Sequence, residues 1–148
     1  MNIEQLYRQV IMDHYKHPKN KGLIADSSYL MVHLNNPSCG DEMTIQMHVK
    51  DHVIDDIRHQ GTGCSICCSS ASVMTETLKD QNIDQAMKII GEFYELIKGY
   101  PYNPEVLKGD AVVYQGVSQF PARIKCATLA WKAVEQGIKK IKEEEQHG

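Results

Sequence analysis

Apolar residues along this chain repeat with two different periods, and the place where one gives way to the other limits the folds open to it. Met43, Ile45, Met47 and Val49 alternate with polar neighbours, the pattern of a half-buried strand, and Lys50-Asp51-His52 is a short polar turn into a second extended stretch over 53–60. A further strand is predicted from Tyr29 to Leu34, stopped by Asn35-Asn36-Pro37. Outside this block the repeat is helical. Asn2 caps a helix carrying Ile3, Leu6, Tyr7, Val10 and Ile11, which ends at His17-Pro18. A second helix begins near Cys64, with Ile66, Val73, Met74 and Leu78 on its buried side. A third runs from Ile83 to Lys98 between the cap Asn82 and the stop Gly99. Pro121 opens a last helix in which Ile124, Ala127, Trp131, Val134, Ile138 and Ile141 recur every three or four residues.

Residues 18–28 read as a loop, residues 100–119 hold only a short helical turn around Ala111 to Tyr114, and the tail 142–148 is expected to fray in solvent. The order of helix, three strands and further helices predicts an α+β fold. Short connections between consecutive strands predict a small three-stranded antiparallel sheet packed against several helices, with residues 1–148 forming a single domain.

Charge and composition exclude whole classes of function. Sixteen basic residues against 19 acidic ones give a formal net charge of -3, with no basic stripe that would bind nucleic acid. No apolar run approaches the ~20 residues of a membrane span, and MNIEQLYRQV lacks the core of a signal peptide, so a cytoplasmic protein without a membrane partner is expected. The five cysteines are an odd number, and thiols in a reducing compartment point to metal binding or thiol chemistry before disulfides.

Three of these cysteines stand at the ends of predicted elements. Cys39-Gly40-Asp41 lies before a strand, Cys64 follows Gly61-Thr62-Gly63 before a helix, and Cys126 sits near the start of the last helix. Thiolates with one carboxylate satisfy tetrahedral zinc, and the same thiolates suit iron-sulfur units. Spacing alone leaves the ligand set open. Cys64, Cys67 and Cys68 fall at i, i+3 and i+4 and form a rival set on one helix face, while the plain reading of Cys67 and Cys68 is as small apolar core residues. Cys64-x-x-Cys67 also matches a thiol redox motif, but no β-α-β pattern supports it. The histidines read mostly as surface residues, and none forms a helical metal pair near a cysteine.

The segments NNPSCGDEM, GTGCSICCSSAS and FPARIKCATLAWKA together resemble the IscU-like family of iron-sulfur cluster assembly proteins, and the last of them is similar to its SufU branch. The likeness runs from the first helix to the last. It implies that Cys39, Asp41, Cys64 and Cys126 are the metal ligands. Lys125 stands where the IscU branch has a histidine, and Phe120-Pro121-Ala122-Arg123-Ile124 replaces that branch's LPPVK chaperone motif. Both departures imply the SufU branch, a Zn2+ protein whose Cys39 accepts persulfide sulfur from a PLP-dependent cysteine desulfurase of the SufS type and passes it to downstream cluster assembly proteins. Lys125 and Arg123 would partly neutralise the anionic centre. The alternative that the resemblance carries is a scaffold holding a transient [2Fe-2S] cluster.

Overall fold

Helix α1 (Ile3–Lys16) starts with a reciprocal cap, in which the Gln5 amide donates to the Asn2 side chain at 2.9 Å and the Asn2 amide donates to the Gln5 side chain at 3.1 Å. The computed structural model describes residues 2–147. Strands β1 (Leu30–Asn36), β2 (Asp41–Lys50) and β3 (Val53–Thr62) form one antiparallel sheet in the order β1-β2-β3. Asp51 and His52 both take positive φ, 53° and 64°, the left-handed conformation that a two-residue hairpin turn demands of its centre.

Strand β1 continues two residues past the expected stop, because Asn35 and Asn36 pair with Glu42 and Asp41 across the hairpin. Pro37 has no N–H to continue the ladder, and the chain turns there. The expected turn is therefore tighter, and it sets Cys39 at the tip of a hairpin with Asp41 at the root of β2.

One face of the sheet is apolar in cross-strand rows, Leu34 beside Met43, Val32 beside Ile45 and Leu30 beside Met47. Helices α2 (Ser65–Leu78) and α4 (Pro121–His147) cover it, and α3 (Ile83–Ile97) packs against α4. At Gly137 a Cβ would lie 2.4 Å from Met47 Cε and 3.2 Å from Leu30 Cδ2, so α4 lies close on the sheet there and a larger residue would displace the Met47 side chain. Behind the helices Trp131 stacks on Phe93 with ring centroids 3.9 Å apart, and Tyr114 meets Phe93 edge-on at 6.1 Å. No helix among the described residues is long and apolar enough to cross a membrane.

Two segments differ from expectation. Gly109–Gln119 is a run of 3-10 turns instead of one short turn. Ala111, Tyr114 and Val117, all buried, stand three residues apart, which matches the three-residue turn of a 3-10 helix. Helix α4 also continues to His147 in the stretch expected to fray, whose last residue, 148, lies outside the described residues, and Lys142 donates to Asp84 at 2.6 Å while His52 meets Glu145 at 2.5 Å.

Removing the aromatic centre tests this core. Trp131→Ala should lower the urea-unfolding free energy by about 3–5 kcal/mol. Ser70→Ala, which strips the buried Trp131 N–H of its acceptor at 2.9 Å, should lower it by about 1–3 kcal/mol.

Candidate metal centre

The hairpin turn that carries Cys39 is built on Asn36, whose carbonyl accepts the amides of Cys39 at 3.2 Å and Gly40 at 2.9 Å. Gly40 has φ +74°, a conformation that glycine adopts without strain and that lets the chain double back into Asp41. The Asn36 side-chain oxygen accepts from Ser38 Oγ at 2.7 Å, while its Nδ2 is buried without a partner among the described residues. An N–H group left in this state suits a neighbouring anionic centre.

Asp41 is the hub. The residue is only 2% exposed, with its Oδ1 accepting the Cys64 backbone amide at 3.0 Å and its Oδ2 accepting the Cys39 thiol at 3.0 Å. Cys64 is the N-cap of α2, so Asp41 takes one of the free amides at that helix start and lies at its positive end. A Cβ on Gly63 would approach Asp41 Oδ1 to 2.5 Å, so this position needs the bare backbone for the carboxylate to reach the helix.

Cys126, buried in the second turn of α4, brings its Sγ to 3.4 Å from Cys39 Sγ. The donor atoms of Cys39, Asp41 and Cys126 all lie within 4.8 Å of one another. Cys64 Sγ stands just outside this group, 4.0 Å from Asp41 Oδ2. Sulfurs on one tetrahedral zinc are about 3.8 Å apart, so the three donors already hold shell spacing, and a fourfold shell needs only the Cys64 side chain drawn inward. Three soft thiols and one carboxylate fit zinc or an iron-sulfur unit.

The electrostatics agree with an anionic cluster. Burial pushes the Asp41 carboxyl up, but hydrogen bonds from Cys39, Cys126 and the Cys64 amide, with the Arg123 charge, outweigh it and hold the group below the usual carboxylate range. Burial, followed by the neighbouring Asp41 and Cys39, pushes the Cys126 thiol up. The neighbouring Cys126 and Cys64 push the guanidinium of Arg123, an exposed residue one turn before Cys126, further up. Lys125 and Arg123, both expected to offset the charge of the centre, are exposed, and neither makes a side-chain hydrogen bond or ion pair among the described residues.

Cys67 and Cys68 do not join the centre. Cys67 is buried in the core, and burial pushes its thiol far up. Cys68 donates to the Gly63 carbonyl at 3.7 Å and lines a separate hollow of about 260 Å³ with Tyr15, Lys21 and His59. The rival trio on one face of α2 is thus divided between the core and two surfaces. Among the histidines read as surface residues, His14 and His59 are buried. Asn36 and Gly63 were missed as parts of the site. Glycine before a cysteine was the available signal for Gly63, whereas nothing in the sequence shows that Asn36 would be left with a free donor.

The family model for the NifU-like N-terminal domain matches residues 6–127. The chain belongs to this NifU-like family. Within it, the chain is 47% identical over 139 residues to the Zinc-dependent sulfurtransferase SufU of Bacillus subtilis (strain 168), covering 94% of this chain and 93% of that protein. It is 35% identical over 138 residues to the Iron-sulfur cluster assembly scaffold protein IscU of Streptococcus pyogenes serotype M1, covering 93% and 86%. A crystal structure of a hypothetical protein superposes with a TM-score of 0.84 at 35% identity, covering 92% of this chain and 98% of that one. The N-terminal part of a NifU-like protein from Brucella abortus superposes with a TM-score of 0.81 at 21% identity over 95% of this chain and 97% of that one, a likeness of fold. The three-stranded sheet with its helices is therefore the fold of the NifU-like family.

Gly63→Ala probes the Asp41 seat without touching a donor atom. The added methyl should push the carboxylate off the Cys64 amide, visible as loss of the hydrogen-bonded shift of that amide in a proton-nitrogen NMR spectrum. The remaining amide pattern should stay in place.

Proposed function

We propose that this chain acts as a single domain in iron-sulfur cluster assembly, as a zinc-bound acceptor of persulfide sulfur from a PLP-dependent cysteine desulfurase of the SufS type. The observation that carries this reading is the meeting of Cys39, Asp41 and Cys126 with Cys64 beside them, in which Cys39 alone is exposed. The name of the B. subtilis relative, a zinc-dependent sulfurtransferase, supports it. Cys39, Asp41, Cys64 and Cys126 would hold the metal. When bound, zinc keeps its coordinating thiols deprotonated and so stores nucleophilic thiolates at neutral pH.

The chain's own residues supply the rest. Cys39, on an exposed hairpin tip, reaches the outer sulfur of the partner's persulfide, where its thiolate attacks. The donor's S–S bond breaks, a new S–S bond forms on Cys39, and the donor cysteine leaves as its thiolate while the transferred sulfur keeps its proton. Arg123, whose charge helps to lower the Asp41 carboxyl, would offset part of the negative charge of the thiolate centre. The new persulfide then stands at the surface for downstream assembly proteins, in a cytoplasmic setting that keeps thiols reduced.

A scaffold for a transient [2Fe-2S] cluster is the second reading, favoured by the name of the S. pyogenes relative and by Asp41, whose oxygen is a weaker ligand for such a cluster than a fourth thiolate. Elemental analysis of freshly purified protein separates the two. About one zinc per chain is expected, whereas iron with acid-labile sulfide in its place would favour the scaffold.

The decisive measurement is desulfurase turnover with this protein added. Wild type should accelerate it, and mass spectrometry should map added sulfur to the Cys39 peptide. Cys39→Ser should return turnover to the rate of the desulfurase alone, because a serine hydroxyl stays protonated and attacks sulfur poorly. Sulfur found only on Cys64 or Cys126, with Cys39→Ser still active, would overturn the choice of acceptor.

A further inference from the structure

Away from the sulfur centre, three elements bring a histidine and two carboxylates together. His14 of α1, Glu76 of α2 and Asp110 of the 3-10 segment place one donor atom each within 4.8 Å of the others. His14 is 3% exposed and bonded at both ring nitrogens, with Nδ1 at 2.8 Å from Ser72 Oγ and Nε2 at 2.7 Å from Asp110 Oδ2. Ser72 Oγ in turn accepts the Lys19 amide at 2.7 Å, which fixes the hydroxyl. An imidazole whose far nitrogen is held by an anchored partner and whose near nitrogen faces carboxylates has the support that metal-bound histidines need.

The two carboxylates make the case sharper. Asp110 alone would satisfy a structural histidine, yet Glu76 brings a second carboxylate to the same point and has no ion-pair partner among the described residues. Lys108, which lines the same hollow, is drawn to Glu105 at 3.9 Å. Two carboxylates beside each other repel unless a cation stands between them. The Asp110 side chain is 44% exposed, and an open hollow of about 310 Å³ lined by Glu76, Gly109 and Asp110 leaves the outer coordination positions to water.

We propose that His14, Glu76 and Asp110 form a second metal site, separate from the cysteines, that takes an exchangeable divalent first-row ion. Donors about 2.1 Å from one ion lie no more than about 4.2 Å apart, so the exposed Glu76 side chain has only a short distance to close. On binding, His14 keeps one proton, on Nδ1 and donated to Ser72 Oγ, and the ion replaces the other, the one between Nε2 and Asp110, which leaves to solvent. With one imidazole, two carboxylates and water, the site prefers harder ions than the thiolate centre does. It also joins α1, α2 and the 3-10 segment, so an ion bound there stabilises the fold by mass action.

Manganous ion is the probe, since thiolates hold it poorly. Purified protein titrated with Mn2+, with the free ion followed by electron paramagnetic resonance, should bind one equivalent per chain and melt at a higher temperature when the ion is present. Glu76→Gln, at an exposed position, should weaken uptake at least tenfold and remove the thermal shift, and Asp110→Asn should do the same. Cys39→Ser should bind Mn2+ as wild type does, which separates this site from the cysteine centre. No uptake at millimolar Mn2+, or equal uptake by Glu76→Gln, would overturn the proposal.

Discussion

Helix α2 is buried on nearly every side although much of it is serine, and the rest of the structure depends on how those hydroxyls are satisfied. Ser69, Ser70 and Ser72 are fully buried, and a buried hydroxyl without a partner costs about 1–3 kcal/mol. Each reaches a different neighbour. Ser69 accepts from Tyr114, Ser70 donates to the Ala127 carbonyl and accepts from Trp131, and Ser72 accepts from Lys19 and meets His14. These bonds tie α2 to α4, to the 3-10 segment and to α1. Small side chains allow the close approach, and the hydroxyls give it one register, because sliding α2 by one residue would leave several of them unpaired.

Fixing α2 fixes its N-terminus, and the sulfur centre is assembled there. Cys64 caps the helix, and Asp41 reaches across from β2 to the Cys64 amide through the space that Gly63 leaves. Cys39 enters from the β1–β2 hairpin and Cys126 from α4, which the sheet and Trp131 hold in place. The donors therefore differ in mobility. Cys126 stands on a packed helix and Cys39 on an exposed turn, so a thiol that must both bind metal and meet a partner is found on the element able to move.

The two donor clusters divide by chemistry as well as by place. Soft sulfur gathers at the start of α2, while nitrogen and oxygen donors gather at its last turn. The thiols of Cys67 and Cys68 lie between them and serve neither cluster. Cys67 fills the core, and burial keeps its thiol protonated, which leaves it unreactive.

The strands and most helix limits were legible in the sequence, since each rests on local periodicity or capping, whereas the four candidate ligands rested on the likeness of three short motifs to a family. Met43, Ile45 and Met47 mark a strand by alternation, and Asn82 and Gly99 bound a helix by capping. The 3-10 segment was not read, because its stripe at Ala111, Tyr114 and Val117 has a three-residue spacing that a search for 3.6-residue periodicity passes over. The order at the end of α4 was also hidden, since Asp84 and His52 are distant in sequence from Lys142 and Glu145. By itself the sequence determined the strands, the main helices and the local elements on which the five cysteines sit. Only the tertiary structure decided that Cys126 lies 3.4 Å from Cys39, that Cys68 faces another hollow, and that His14 meets Asp110. The reason is physical: those distances depend on how helices pack over a sheet, a sum of many long-range contacts, whereas periodicity and capping are decided within a few residues of chain.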